Sequence, residues 1–206
     1  MPDLVYLSLW LRGLTEETML PFWARALEEF PVSSIAPGIR SLAIYPFEWG
    51  ETPVLEESFR EGAEVAHVMA LAAEFLHEDY AYEAQFHWDV WLPRSAETLD
   101  QWERVPQIVS VACAGSQFEP ESAEDRGHLQ FNFGPDSIFL PEGEVETLEG
   151  EARSGVAASC YQENIAQLLQ YLHRLEKRLP VARKLLWSGS GEDLAEHIRA
   201  AWNLGS

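Results

Sequence analysis

The chain has only two cysteines, Cys113 and Cys160, and neither has a CxxC partner or metal-ligand spacing around it. That excludes a disulfide framework and a zinc-finger scaffold, and it predicts a reduced, cytoplasmic chain. Apolar runs fall far short of the roughly 20 residues a helix needs to cross a bilayer. The opening MPDLVYLSLW has no basic stretch before its apolar residues and no small-residue cleavage site, so no signal peptide is expected. Lysine is absent from residues 41–151, where four arginines face 24 Asp and Glu. This one stretch carries a net charge of −20, while residues 1–40 carry −2 and residues 152–206 carry +2. Such a field disfavours nucleic acid, whose binding needs cations to displace counterions, and disfavours an anionic membrane surface. No fixed-period repeat occurs, which argues against solenoids and propellers. H-E-x-x-H and G-x-S-x-G are also missing, so no zincin helix and no hydrolase elbow is visible.

What is present is enough to build a core. Of 206 residues, 47% are hydrophobic and 12% aromatic, with ten Phe, eight Trp and six Tyr. That composition argues against disorder despite the charge, and the length fits one large or two small domains.

Alternation predicts a strand over Leu4–Leu11, with Val5, Leu7, Leu9 and Leu11 on one face and Tyr6, Ser8 and Trp10 on the other. Thr15 caps a helix with Glu16 and Glu17 in its first turn and Met19, Phe22, Trp23, Ala26, Leu27 and Phe30 as its buried stripe. Pro21 predicts a start at Thr18 or a kink. Strands follow over 41–47 and 53–59, joined by a turn at Glu48–Glu51. Ser58 and Glu61 read as a capping box opening a second helix. Tyr80–Leu92 is the clearest strand, with an apolar face and a mostly polar one.

Residues 4–92 thus run βαββαβ, the order of a ferredoxin-like unit. Pro93 and polar neighbours predict a linker over 93–104. Residues 105–206 then read β-β-α-β-α. Their strands are 108–118 and 128–133, the latter extended or bent through 136–140; a long helix on Ile165–Leu179 follows, then a strand over 181–187 and a last helix capped at Ser190. Acidic loops are expected at 119–127 and 141–155. The expected fold class is α+β with a mostly antiparallel sheet, divided as 1–92, 93–104 and 105–206 or packed as one continuous domain.

The first candidate site is the polar row on the long strand: Glu83, Gln85, His87 and Asp89. Alternate strand residues stand roughly 6.8 Å apart on one face. A histidine between a carboxylate and an amide suits a general base or a ligand. A second row, His128, Gln130 and Asn132, would share a cleft with it if the two strands were neighbours. The same rows arise on any half-exposed sheet, and a solvated face is the more economical reading. Glu64/His67 and Glu74/His77 each form E-x-x-H on the predicted second helix, about 15 Å apart along its axis. They cannot make one di-iron centre, so no metal is expected. Gly189-Ser190-Gly191 between strand and helix fails as a dinucleotide loop, because Leu194 takes the third glycine's place and Glu192 and Asp193 stand where phosphate would bind. Trp10 and Trp91 fall opposite the apolar stripes of their strands, and Trp49 and Trp102 fall in predicted loops. Exposed tryptophan favours interfaces and ligand pockets.

No cofactor is called for. The leading expectation is a non-enzymatic protein-interaction module of inhibitor, immunity or antitoxin type, binding a basic protein or peptide. The alternative is a small-molecule enzyme or binding protein with its site around His87. Self-association as a homodimer through an uncovered sheet face or edge is the third.

Overall fold

A computed structural model describes residues 3–95, 98–120, 126–140, 155–189 and 198, with the backbone alone for 95 and 98–100. The strands are β1 (Leu4–Leu11), β2 (Ile39–Pro46), β3 (Leu55–Ala63), β4 (Tyr80–Ser95), β5 (Thr98–Ala114), β6 (Leu129–Pro135) and β7 (Val181–Ser188). Three α-helices are described: α1 (Glu16–Glu28), α2 (Val65–Ala73) and α3 (Val156–Arg178). The seven strands form a single sheet in the order β3-β2-β4-β5-β6-β1-β7, and every pairing is antiparallel.

The α+β class expected from pattern is what the chain adopts, but not the ferredoxin-like order within 4–92. There β1 would pair inside its own unit. Instead it lies between β6 and β7, separated from β4 by β5 and β6. Residues 93–104 are not a linker. Residues 93–95 and 98–104 form the distal arms of a long β4–β5 hairpin, in which Pro93 pairs with Trp102. Proline is tolerated there because β4 runs past the end of β2. Its odd-numbered residues turn their backbone groups toward the free edge: His87 O accepts from Ser33 N at 2.8 Å, and Trp91 N donates to Asn164 at 2.9 Å. The missing N–H of Pro93 therefore costs the hairpin no ladder bond.

Further boundaries differ from expectation, among them 115–118, which lies in a turn beyond β5 rather than in a strand. Residues 58–63 continue β3, so Ser58 and Glu61 cap nothing; α2 starts after Glu64 and ends at Ala73, leaving His77 beyond it. Residues 136–138 form a 3-10 turn rather than more strand. Helix α1 begins at Glu16 and runs through Pro21. There the N–H of Thr15 donates to Thr18 Oγ1 at 2.8 Å and closes the first turn. The last predicted helix and the 141–154 loop lie outside the described residues, Ile198 excepted.

The core takes alternate residues of the strands, except that edge strand β3 only packs partly buried residues such as Leu55 and Phe59 against it. Leu7, Leu42, Phe86, Val111, Phe131 and Leu186 are buried with Trp23 of α1, Val68 of α2 and Leu168 and Tyr171 of α3. Tyr171 ties two helices together by donating its hydroxyl to Ala26 O at 2.9 Å. Among the described residues, this cluster puts the helices on one face of the sheet. The intervening strand residues form the other face.

Candidate functional site

Residues directly opposite each other on neighbouring strands share a face. The register therefore writes out the second face row by row. Ser41, Gln85, Ser110, Asn132 and Tyr6 lie in line across β2, β4, β5, β6 and β1; Ala43, Glu83, Ala112, Gln130 and Ser8 form the next line. Of the residues singled out from sequence, Glu83, Gln85, Gln130 and Asn132 are brought together here. The two polar rows are not on adjacent strands, since β5 runs between them and contributes Ser110 and Ala112, which sequence reasoning left out.

Two shallow clefts meet at Glu83. One, of about 210 Å³, has Glu83, Ser110, Gln130 and Asn132 on its floor and Tyr6 and Trp49 on its walls. The other, of about 200 Å³, runs toward β3 between Gln85, Tyr45 and Glu56. The floor is low because serine and alanine lie between the longer side chains. The Tyr6 wall is rigid: its ring stacks on Trp187 at 4.5 Å, and Trp187 Nε1 donates to Ser8 Oγ at 3.1 Å.

Trp49 reaches the cleft from the β2–β3 turn and is held on three sides. Its ring meets Tyr45 and Phe118, each at 5.1 Å between centroids. Its backbone N–H donates to Glu119 Oε1 at 2.9 Å, and Glu119 N donates to Phe47 O at 3.1 Å. Phe47 and Glu119 are the two non-glycine residues with positive φ among those described, at 63° and 38°. Such residues cost of order 1–3 kcal/mol each and cluster where function requires a set geometry. Gly115 starts the turn that carries Phe118. A Cβ there would sit 2.2 Å from Glu78 O, so only glycine allows this close approach.

Glu83 is the chemically distinctive group. Burial raises its carboxyl above the ordinary 4.5, and Ser110 beside it only partly offsets this. No cation among the described residues pairs with it. The nearest on the cleft rim, Arg126, is bound to Glu119 at 3.3 Å. A carboxyl whose folded pKa lies above its unfolded value favours the fold at low pH, and that contribution is lost as pH rises through the folded pKa. Glu83→Gln is therefore expected to raise the melting temperature at pH 7, with the gain closing toward pH 4. Paired thermal melts at the two pH values check this, and a variant less stable than wild type at pH 7 would contradict it.

The remaining sequence candidates lie elsewhere. His87 lines neither cleft. Its Nδ1 is buried with no hydrogen-bond partner among the described residues, and burial together with Arg40 lowers its pKa. His128 precedes β6 and uses Nδ1 to accept Leu11 N–H at 2.9 Å, a structural bond made by neutral imidazole; burial lowers its pKa too. The two histidines do not share a cleft. His87 faces Ile108 on β5 while His128 lies beside Ala114, six residues along, which is roughly 20 Å. Asp89 is not a solvated member of the row. It is 7% exposed and accepts hydrogen bonds from Ser33 and Ser34. Trp91 sits against α3, its Nε1 donating to Glu163 at 2.7 Å. Trp10 lies under the Arg183 guanidinium, 4.2 Å from the ring centre. Cys113 is fully buried on the core side, its thiol pushed up to about 12 by burial. Cys160 is 5% exposed and raised by burial and Glu163.

Tyr6 and Trp49 had a visible signal, an aromatic off the apolar stripe and a tryptophan in a turn. Ser110, Ala112 and Arg126 had none, because their place depends on which strands adjoin. Among the described residues no group of three or more His, Cys, Asp or Glu is placed to hold a metal, and no helix is long and apolar enough to cross a membrane. Comparison with family models, curated proteins and solved structures gives no match.

Proposed function

We propose that this chain is a protein-interaction module that docks a basic protein on the polar sheet face. The observation that carries the reading is Glu83: a half-buried carboxyl in the middle of that face, raised by burial, with no cation among the described residues to neutralise it. Burying such a group is unfavourable unless something pairs with it, and the chain's net charge of −20 selects a basic partner.

On this face dimensions favour a protein over a small molecule. Six strand spacings and the seven- to nine-residue length of every strand but β4 and β5 give a face of about 29 by 25 Å. That is close to the ~800 Å² one partner contributes to a standard interface. The clefts at Glu83, about 210 and 200 Å³, are each below the ~300–1,000 Å³ of ligand pockets. They suit individual side chains of a docked surface. The aromatic walls supply the anchors such interfaces concentrate on.

The test compares wild type with Ser110→Arg, which places a bulky cation on the floor beside Glu83. Both are immobilised, exposed to lysate of the native host and eluted in rising salt. The expected result is a basic protein retained by wild type, released at moderate salt and held at least about ten-fold less by the variant. Equal retention by both, or none by wild type, would overturn the reading.

A further inference from the structure

Within that docking surface the structure assigns the cleft between Trp49 and Tyr6 to a single arginine side chain of the partner, with its guanidinium against the Trp49 ring and Glu83 as its counter-ion. This rests on the docking proposal above and names the contact at its centre.

Three features select arginine. The first is charge: the floor presents the Glu83 carboxylate, and the one cation on the rim among the described residues, Arg126, is already committed to Glu119. The second is shape and hydrogen bonding. Gln130, in Glu83's own row, and Ser110, in the next, add acceptors. A guanidinium offers five donors in one plane, whereas an ammonium is a compact and strongly hydrated point. Because it is less hydrated, guanidinium is also the cheaper cation to bring to a half-buried carboxylate. The third is the aromatic wall. Indole is the best ring face for a cation, and arginine the more frequent partner.

Trp49 is not at this spot by default. Two residues with positive φ, Phe47 and Glu119, are hydrogen-bonded to each other, and the Glu119 side chain fixes the Trp49 backbone. The chain accepts strained backbone on both sides of the indole to keep it over the floor. The same glutamate holds Arg126 off Glu83, so one side chain sets the wall and leaves the counter-ion free.

The test uses the ¹⁵N-labelled chain and reads its indole N–H signals by NMR, with the Trp49 signal assigned from Trp49→Phe. Three acetylated, amidated pentapeptides of glycine are titrated, carrying arginine, lysine or citrulline at the centre. Arginine is expected to move the Trp49 signal saturably, lysine more weakly, and citrulline, which keeps the shape without the charge, not at all. Glu83→Gln should weaken the arginine response about ten-fold or more, the usual worth of a charge-assisted contact. Its other indole signals, unmoved from wild type, certify the fold. If citrulline moves Trp49 as well as arginine does, or if Glu83→Gln binds unchanged, the assignment is wrong. Should Trp49 ignore arginine while Ser110→Arg still abolishes capture of a basic protein, this assignment falls and the docking surface stands. Should capture fail as well, both fall.

Discussion

Asn164→Leu is expected to remove about 3–5 kcal/mol of stability, a large part of the ~5–15 kcal/mol typical of a domain. Asn164 is 2% exposed, and its amide does the work of a missing strand. Beyond the end of β2, no further strand among the described residues pairs with that edge of β4. Asn164 Oδ1 accepts Trp91 N–H at 2.9 Å, and Nδ2 donates to Trp91 O and Ile138 O, both at 2.9 Å. Leucine fills the volume and leaves one donor and two acceptors unpaired, at roughly 1–3 kcal/mol for each buried group left without a partner. Asn164→Asp separates hydrogen bonding from packing. Its carboxylate still accepts Trp91 N–H but faces two carbonyl oxygens, which raises its pKa. That variant should be poor at pH 7 and partly recover as pH falls and the carboxyl gains a proton to donate, whereas the leucine variant shows no such recovery. Urea unfolding at pH 7 and pH 5 checks both. A leucine variant within about 1 kcal/mol of wild type would show that water replaces the amide at this edge.

How much of this was legible in the sequence follows from what each feature depends on. The period-2 pattern of Leu4–Leu11 and Tyr80–Leu92 and the helical stripe of α3 are local, and each appears where the sequence placed it. Side-chain facing was legible for the same reason: Glu83 and Gln85 do lie opposite Phe86 and Trp88 on β4. Topology was not local. Nothing near β1 says that its partners are β6 and β7, more than a hundred residues away. The βαββαβ order suggested a closed unit because neighbouring strands in sequence usually pair. Proline misled at residue 93 because its cost depends on whether a neighbouring strand needs its N–H. The capping box at Ser58 misled because S-x-x-E also fits an exposed edge strand, and β3 is one. The cleft was half legible. Its acidic and amide residues came from strand patterns, but Ser110 and Ala112 matter only for being small between them. Asp89 belonged to the same row as Glu83, and Trp91 to the same face, and yet both do structural work, because β4 there outruns β2.

Asp89→Ala is expected to cost about 2–3 kcal/mol, through loss of charge-assisted hydrogen bonds at a buried edge. The carboxylate accepts from the Ser33 hydroxyl through Oδ1. Through Oδ2 it accepts from Ser34 N at 2.9 Å and the Ser34 hydroxyl at 2.6 Å. Ser33 in turn accepts Ile35 N–H at 3.0 Å and Ala36 N–H at 2.9 Å, so one carboxylate organises the whole 33–36 loop. That loop lies along the free edge of β4, where Ser33 N–H also meets His87 O, and a covered edge cannot template pairing with another chain. Burial alone would raise the Asp89 carboxyl, but the bonds from Ser33 and Ser34, with the Arg104 charge, outweigh it and hold the pKa below the ordinary 3.8. A depressed folded pKa gives stability that is fully present above the unfolded value and is lost as pH falls through the folded one. The gap between wild type and Asp89→Ala should accordingly be constant from pH 7 to about pH 5 and narrow below 3.8. Urea midpoints measured from pH 7 down to pH 3 provide the comparison. A gap that stays open at pH 3 would mean that packing, not the charge, fixes the loop. The variant should also self-associate more readily than wild type at equal concentration, since the β4 edge is then exposed. Light scattering at pH 7 reads that consequence separately from stability.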